Sequence, residues 1–242
     1  YYLHFPIQGR DGTIVIDWGD GKTDTISSGN AAFIGHDYND INSARRITVK
    51  GTIKQWSCYV KNNPCKQLLK IRSYGKVRFG QYAFYKADKL VSLPANESPK
   101  FYSNEMVGVF AGATGFNQSI NHWDTSKVST MEMMFSGASS FNQPLDKWNT
   151  SNVRNMDYMF YGATAFNGSL DNWNTSKVTS MNFMFFGAAS FNRPVNHFDT
   201  SNVNSMVGVF QNASKFNQPL NNWNVSNVTS MAYMFSFGEN ET

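Results

Sequence analysis

A 25-residue repeat constrains this chain more strongly than any other feature of its sequence. We number the positions of each repeat as phases, with its first phenylalanine at phase 0. Asparagine stands at phase 1, an aromatic residue at phase 7 and a second phenylalanine at phase 19. Five repeats align without an insertion, and they begin at Phe116, Phe141, Phe166, Phe191 and Phe216. Since the same residues recur at each phase, the chain is predicted to form a stack of nearly identical coils.

Two patterns within each repeat predict one short helix and one short strand. Apolar residues lie three, seven and ten positions after the first along one stretch, as in Val178, Met181, Phe185 and Ala188. This spacing predicts one face of a helix, and Gly187 suits its C-terminal exit. The other stretch, FNxPLxxWN, often carries a proline in its middle and predicts an extended strand between turns. Neither element can bury its apolar face alone, so the coils must stack.

The recurring side chains predict continuous columns inside the stack. Adjacent coils are expected about 4.7–4.9 Å apart, which places phenylalanine, aliphatic and tryptophan side chains on their own copies. The asparagine at phase 1 is expected to form a hydrogen-bonded ladder that satisfies the turn backbone. Phe198 replaces tryptophan in one repeat, which favours a core role for that column. The alternative is an outward column of tryptophans that stacks on sugar rings.

The stretch FNQPLDKWNTSNVRNMDYMFYGA resembles the repeat of BspA-like leucine-rich repeat surface proteins, in the 25-residue form common in mycoplasma lipoproteins. The resemblance covers residues 101–242, and AFYKADKL upstream resembles a degenerate repeat. It implies a curved solenoid of right-handed coils with a parallel sheet on one face, a role in adhesion or surface display, and no enzyme. The predicted fold class is therefore an α+β repeat solenoid, with one strand and one helix per repeat.

The N-terminal segment carries strand and turn signals instead of repeats. In VIDWGDGKTDTI an apolar run leads into a tight Asp20-Gly21 turn, and His36-x-Tyr38 follows. These residues resemble the PKD-type Ig-like sandwich, although Ala44-Arg45-Arg46 replaces the family's Gly-x-Tyr. The resemblance implies a small all-β sandwich over residues 1–52. Residues 53–100 are then expected to form degenerate repeats or a cap, and residues 101–242 the regular repeats.

Two neighbouring columns are predicted to be exposed and to bind a ligand. Phase 6 changes between histidine, lysine and asparagine, as expected for a surface position and not for a catalytic one. Phase 5, beside it, alternates between asparagine and aspartate. The phase 5 candidates are Asn121, Asp146, Asp171, Asn196 and Asn221, and the phase 6 candidates are His122, Lys147, Asn172, His197 and Asn222.

Positive charge is concentrated in the first part of the chain. Residues 45–89 contain 12 lysines and arginines but only one acidic residue, Asp88. Such a run is either a solvated face or a patch for an anionic partner such as an acidic glycan. Nucleic acid is not expected, because no nucleic-acid-binding motif accompanies the charge. The candidate residues for binding a polyanion are Arg45, Arg46, Lys70, Arg72, Lys76 and Arg78.

Two smaller clusters leave alternatives open. Asp17, Asp20 and Asp24 are candidate calcium ligands, although aspartates that cap turns are the more common explanation of such spacing. Cys58 and Cys65 are either buried thiols or a small-loop disulfide, which would be typical of a secreted protein. A zinc site is not expected, because no histidine or second cysteine pair stands at ligand spacing.

These observations predict a non-enzymatic extracellular module at a cell or virion surface, for adhesion or for recognition of a protein or glycan. The alternative is a structural subunit of a surface fibre, coat or virion. No G-x-S-x-G, phosphate-binding loop or H-E-x-x-H is present, so no cofactor is predicted and a glycan-acting enzyme is disfavoured. No apolar run is long enough to span a membrane. The last repeat lacks a polar cap, which predicts self-association or a covering partner there.

Overall fold

The architecture was examined in a computed structural model, which describes residues 2–5, 7–27, 34–37, 46–59 and 64–238. All regular elements of the described residues lie in the first part of the chain, and none of them is an α-helix. They are β1 (Tyr2–Phe5), β2 (Ile7–Asp17), β3 (Thr23–Ile26), β4 (Ile34–Asp37), β5 (Thr48–Trp56), a 3-10 helix (Pro64–Gln67), β6 (Val77–Phe79) and β7 (Lys100–Phe101).

The strands form two sheets. Strands β1 and β4 pair antiparallel by themselves, while the second sheet has the order β3-β2-β5-β6-β7. Strand β2 pairs antiparallel with β3 and β5, and β5, β6 and β7 run parallel. Alternation along β2 buries Ile14 and Ile16 and exposes Asp17, as expected for a sheet with one covered face.

The predicted Ig-like sandwich is wrong, because β2, β3 and β5 belong to one open mixed sheet that continues into the next segment, and among the described strands β1 pairs only with β4. Ile53 of β5 lies opposite Val77 of β6, so the edge of β5 is occupied by a strand from outside residues 1–52. The small apolar cluster around Trp18 also packs against Trp56 and Val77. A segment with so few core residues gains burial by sharing a sheet with its neighbour. The boundary expected after residue 52 lies within β5 and stays a prediction.

Cys58 and Cys65 form a disulfide just after β5, and both residues are buried. Of the two sequence-based alternatives, the small-loop disulfide is therefore confirmed. Both cysteines belong to the core cluster of the repeats, so the bond fixes the chain after β5 to the beginning of that core.

The predicted helix in each repeat is wrong: the same residues form a run of consecutive β-turns. The Met134 N–H donates to Met131 O, and the Ala138 N–H donates to Phe135 O, three residues back in each case. The amides on either side of Met134, those of Met133 and Phe135, donate instead to carbonyls of the next repeat. Alternate amides thus bond within a repeat and between repeats, whereas an α-helix satisfies all of its interior amides internally.

Left-handed residues explain why these turns cannot become a helix. Met133, Tyr158 and Phe183, all at phase 17, have φ of 55°, 56° and 53°. Gly108 and Gly208 occupy the same phase with φ of 58°. Each such residue reverses the local twist of the chain, and a right-handed helix does not admit it. The spacing of apolar residues did not distinguish the two structures. Consecutive β-turns, each closed by a hydrogen bond three residues back, also direct side chains at this spacing into the core. The glycines within the supposed helix were the contrary signal.

The predicted strand in each repeat is also absent from the described residues. FNxPLxxWN forms turns and irregular chain, and neighbouring repeats meet in parallel through one bridged residue each. The expected parallel sheet along the repeats is therefore one residue wide. The bridged residues are Glu105, Thr130, Asn155, Ser180, Ser205 and Ser230.

The predicted core columns are confirmed. Phe135 stacks on Phe160 of the next repeat with ring centroids 5.5 Å apart, and Phe141 stacks on Phe166 at 5.9 Å. Within one repeat the two columns meet, because Phe135 and Phe141 lie 4.1 Å apart. Leucine, methionine and alanine at the other apolar phases are likewise buried as far as Ala213, whereas Leu220 is half-buried and Met231 is exposed. Each fully buried phenylalanine contributes about 1.5–3 kcal/mol relative to exposure.

Polar ladders tie each repeat to the next. The predicted asparagine ladder is confirmed, since Asn117 Oδ1 accepts the Asn142 N–H at 2.9 Å and Asn142 Oδ1 accepts the Asn167 N–H at 2.8 Å. A second ladder uses a buried threonine, whose hydroxyl donates across repeats, as from Thr175 to Asp199 O at 2.9 Å. This threonine therefore serves the stacking of repeats.

Candidate recognition surfaces

The phase 5 column is partly committed to holding the repeats together. Asn121 Nδ2 donates to Asp146 Oδ1 at 2.8 Å, while Asn121 Oδ1 accepts the Lys147 N–H at 2.9 Å. Asn196 Oδ1 accepts the Asn222 N–H in the same way at 2.9 Å. Asp171 and Asn221 are exposed. Asn121 and Asn196 therefore cap the turn of the following repeat, and a ligand would meet only their outer atoms.

The phase 6 column lies beside it and is exposed in all five repeats. Lys147, Asn172 and Asn222 extend from its turns with differing charge and hydrogen-bonding capacity. His122 Nε2 lies 3.0 Å from Glu97 O, which anchors its ring to the preceding repeat. Phase 6 is thus an exposed column whose chemistry changes from repeat to repeat.

His197, in the same column, replaces a lost tryptophan contact. Trp148 Nε1 donates to Ile120 O at 3.0 Å, and the equivalent bond is present in the repeats of Trp173 and Trp223. Phe198 has no such N–H, and there His197 Nε2 lies 3.2 Å from Leu170 O, the equivalent carbonyl. The neighbouring side chain therefore satisfies the same backbone group. Such a contact is structural, and the sequence alone did not reveal it.

The tryptophan column itself is internal. Trp123, Trp148 and Trp173 are each at most 3% exposed, and Phe198 is 1% exposed. The alternative of an outward column that stacks on sugar rings is therefore wrong.

Sequence reasoning missed an aromatic ridge on the outer side of the turns, formed by Tyr158, Tyr161, Phe183 and Phe186. Tyr158 stacks on Phe183 with centroids 5.2 Å apart, and Tyr161 stacks on Phe186 at 4.5 Å. Because the rings cover each other's faces along the stack, their edges point outward. The signal in the sequence was the presence of aromatic residues at phases 17 and 20 of two successive repeats.

Two carboxylates lie beside the aromatic ridge. Asp157 Oδ1 accepts the Ser180 hydroxyl at 2.5 Å and the Asn182 N–H at 2.6 Å, and so caps the next repeat. Asn155 Nδ2 donates to Glu132 Oε2 at 3.2 Å. Burial, and then the charge of Asp157, raises the pKa of Glu132. Burial and the same two carboxylates also raise the pKa of Tyr158.

The three calcium candidates have separate hydrogen-bonding roles. Asp17 Oδ1 accepts a backbone N–H two residues on at 2.9 Å, and Asp24 Oδ2 accepts Trp18 Nε1–H at 2.8 Å. Asp20 Oδ2 lies 2.8 Å from His36 Nε2, and this hydrogen bond is the main cause that lowers the pKa of Asp20. Trp18 stacks on His36 at 4.8 Å. Over the described parts of the chain, no three His, Cys, Asp or Glu side chains converge as a metal site.

The described members of the basic set are exposed, while Arg45 lies outside the described residues. Arg78 of β6 is paired in register with Lys100 of β7, and both extend outward from the sheet. Lys54 of β5 lies in the same region but is neutralised by Asp11, with Nζ and Oδ1 2.7 Å apart. That contact raises the pKa of Lys54. The remaining exposed members are Arg46, Lys70, Arg72 and Lys76, and polyanion binding by the set stays a prediction.

Comparison with known proteins gave one family. The sequence model of the family described as "Mycoplasma protein of unknown function, DUF285" matches residues 82–188 and 168–240. No curated protein and no solved structure matches the chain significantly. The comparisons thus support the mycoplasma-type repeat and give no support to a leucine-rich repeat identity or an N-terminal PKD domain. No helix in the described residues has the length and apolar character needed to cross a membrane.

Proposed function

Since the chain belongs to the Mycoplasma protein family of unknown function DUF285, whose repeats cover most of its length, we propose that it is a non-enzymatic recognition module of a cell surface. It binds a protein or glycan partner through exposed columns of the repeat stack. In this proposal the module lies outside the cell, where it acts in adhesion or related contacts.

The observation that carries this proposal is the contrast between fixed buried phases and a variable exposed one. Phases 0 and 19 are phenylalanine in every repeat and are buried from Phe116 to Phe210, whereas phase 6 changes its chemistry from repeat to repeat. The ladders between repeats hold successive phase 6 side chains at a fixed spacing. A rigid row of differing polar groups is suited to an extended macromolecular ligand.

Two further observations favour a secreted, non-catalytic protein. The Cys58–Cys65 disulfide is buried in the core, and such bonds persist in oxidising compartments. The histidines with described side chains contact neighbouring groups of the fold: His36 contacts Asp20, His122 contacts Glu97 O and His197 contacts Leu170 O. These contacts hold the imidazoles to the scaffold.

A binding assay with a matched control tests the proposal. The purified chain is presented to immobilised extracellular glycans and matrix proteins, and its affinity for each ligand that it retains is measured. The double variant Lys147→Ala/Asn172→Ala should weaken binding by at least about tenfold, which corresponds to about 1.4 kcal/mol. Lys127→Ala removes the same charge from an exposed position outside the column and should leave affinity unchanged. Equal affinity of the double variant, or no retained ligand, would contradict the proposal.

A structural subunit of a surface assembly is the second candidate. The unit that begins at Phe216 exposes apolar side chains, among them Phe235 at 52% and Phe237 at 68%. A second chain stacked on this unit would cover them. Solution scattering over a range of concentrations tests this candidate: association that is lost in Phe237→Ser supports it, and a monomer at every concentration contradicts it.

A further inference from the structure

A cleft of about 280 Å³ lies between the end of the N-terminal sheet and the first turns of the repeat stack. It is lined by Gln55, Ser57, Tyr59, Gln81 and Tyr82. The first three follow one another along and just after β5, and the last two follow β6. The lining therefore combines two aromatic rings with two amides and a hydroxyl, and it contains no charged side chain.

The two walls of this cleft are fastened to each other. The Cys58 N–H donates to Tyr82 O at 3.1 Å, and the Ser57 hydroxyl donates to Gln81 O at 2.8 Å. The disulfide from Cys58 to Cys65 holds the same segment from its other side. A cleft with walls fixed before binding loses little conformational entropy when a ligand enters.

The polar groups of the cleft are also held in place. Gln81 Nε2 donates to Glu105 Oε2 at 2.7 Å, which sets the orientation of its amide. The Gln55 side chain packs across Gly80, where an added Cβ would lie 2.8 Å from Gln55 Nε2. Glycine at position 80 thus leaves the space that the Gln55 amide occupies.

The aromatic part presents a large accessible ring. Tyr59 is 60% exposed, and its ring lies 4.8 Å from Tyr82 and 5.1 Å, edge-on, from Tyr85. Contacts with two neighbours hold Tyr59 at the mouth of the cleft while most of its surface remains accessible. This differs from the aromatic ridge, where stacked rings cover each other's faces.

We infer that this cleft binds one ring of a neutral saccharide. The apolar C–H face of a sugar packs on a tyrosine ring, and its hydroxyls exchange hydrogen bonds with the amide side chains of Gln55 and Gln81. An anionic ligand would require cationic donors, and all five lining residues are neutral. This inference rests on the proposed function, because it names one ligand class for the recognition module, but it places that ligand away from the phase 6 column.

The test is titration of the purified chain with neutral trisaccharides of glucose, galactose, mannose or N-acetylglucosamine, followed by saturation-transfer NMR. At least one trisaccharide should bind, and Tyr59→Ala should weaken that binding about tenfold, the upper range for loss of one aromatic contact. Tyr59→Phe keeps the ring and should retain most of the affinity. Tyr102→Ala is the matched control, because Tyr102 is 56% exposed and does not line the cleft.

Gln55→Ala is a second variant, to be used if Tyr59→Ala fails to fold. It should also weaken trisaccharide binding. The inference is overturned if no neutral trisaccharide binds, if adenosine binds in their place, or if the cleft variants and Tyr102→Ala have the same effect. Lys147→Ala/Asn172→Ala separates this outcome from failure of the proposed function. That variant should leave trisaccharide binding intact while it weakens binding to the partner of the repeat stack.

Discussion

The repeat stack and the N-terminal sheet satisfy their backbones and fill their cores in two different ways. In the stack, the buried phenylalanines lie on copies of themselves, as Phe160 lies between Phe135 and Phe185. In the sheet, the buried indole of Trp18 has unlike neighbours, since it stacks on His36 and donates to Asp24. In the stack, the same packing environment therefore recurs in successive repeats, whereas in the sheet each packing environment occurs once.

The difference has a consequence for substitutions. A change in the stack disturbs the repeats above and below, but the neighbouring repeats also show which replacement restores the contact. A change in the sheet has no such internal template.

Phe160→Ala should have the largest effect, because it removes a fully buried ring that stacks on both sides. We expect the free energy of unfolding to fall by about 3–5 kcal/mol, measured by chemical denaturation. Ile16→Val, in the core of the sheet, should cost only about 0.5–1.5 kcal/mol. Hydrogen exchange should show the loss of protection from Phe160→Ala mainly in the adjoining repeats. Equal loss of protection in β2 and β5 would remove the distinction between the two regions.

The burial of the stack could be predicted almost residue by residue, because five aligned repeats report each phase several times. Its backbone could not. The apolar spacing from Val178 to Ala188 is shared by a helix and by consecutive turns, and only residues such as Gly108 and Gly208 distinguish the two. In the sheet the converse holds: alternation around Ile16 predicts a strand, but pairing of Ile53 with Val77 depends on distant residues.

The two candidate surfaces also differ in whether the sequence could predict them. Exposure of the phase 6 column followed from its variability, since a position that accepts Lys147 and Asn172 has no fixed partner. The cleft at Tyr59 could not be predicted, because its walls come from β5 and from the turn after β6. Only the folded chain brings those two segments together.

Gly208→Ala tests the turn conformation and should be the next largest effect. The helix expected from the sequence would gain about 1 kcal/mol from this change, because alanine is the better helix former. The structure predicts a loss of about 2–3 kcal/mol, since Gly208 has φ of 58° and its added Cβ would lie 2.5 Å from the Phe183 ring. Thermal and denaturant unfolding give the sign directly.

Gly12→Ala in β2 is the control from the sheet. Gly12 has φ of 66° and nothing within 4 Å of its added Cβ, so this change should cause only the conformational cost of about 1–2 kcal/mol. In the stack, Phe183→Ala should reduce the additional cost of Gly208→Ala by removing the ring. A stabilising effect of Gly208→Ala would restore the helical interpretation.

His197→Ala should destabilise the chain by about 1 kcal/mol, because it leaves Leu170 O without the contact that tryptophan makes in other repeats. The repeat supplies its own rescue: Phe198→Trp in the same chain should recover most of that loss, whereas in the parent it should have a smaller effect. A double-mutant cycle from urea unfolding measures this coupling. Additive effects of the two substitutions at 197 and 198 would contradict the exchange of partners.

Glu132→Gln should have the smallest effect and a pH dependence opposite to that of Asp20→Asn. Burial and Asp157 raise the pKa of Glu132 above 4.5, so the folded state holds its proton more tightly than the unfolded state does. The stability from this group is present below pH 4.5 and is lost as pH rises through the folded-state pKa. Glutamine stays neutral and can still accept from Asn155, so the variant should be slightly more stable than the parent at neutral pH.

Asp20 in the sheet provides the opposite sign. The hydrogen bond with His36 lowers its pKa below 3.8, so its contribution is present above that pH and is lost as pH falls through the folded-state pKa. Asp20→Asn should therefore destabilise the chain at neutral pH, and the difference from the parent should disappear in acid. Melting temperatures from acid to neutral pH measure both variants against the parent. A Glu132→Gln variant that is less stable than the parent at neutral pH would contradict this prediction. The charge of the Glu132 carboxylate would then stabilise the folded chain despite its repulsion from Asp157.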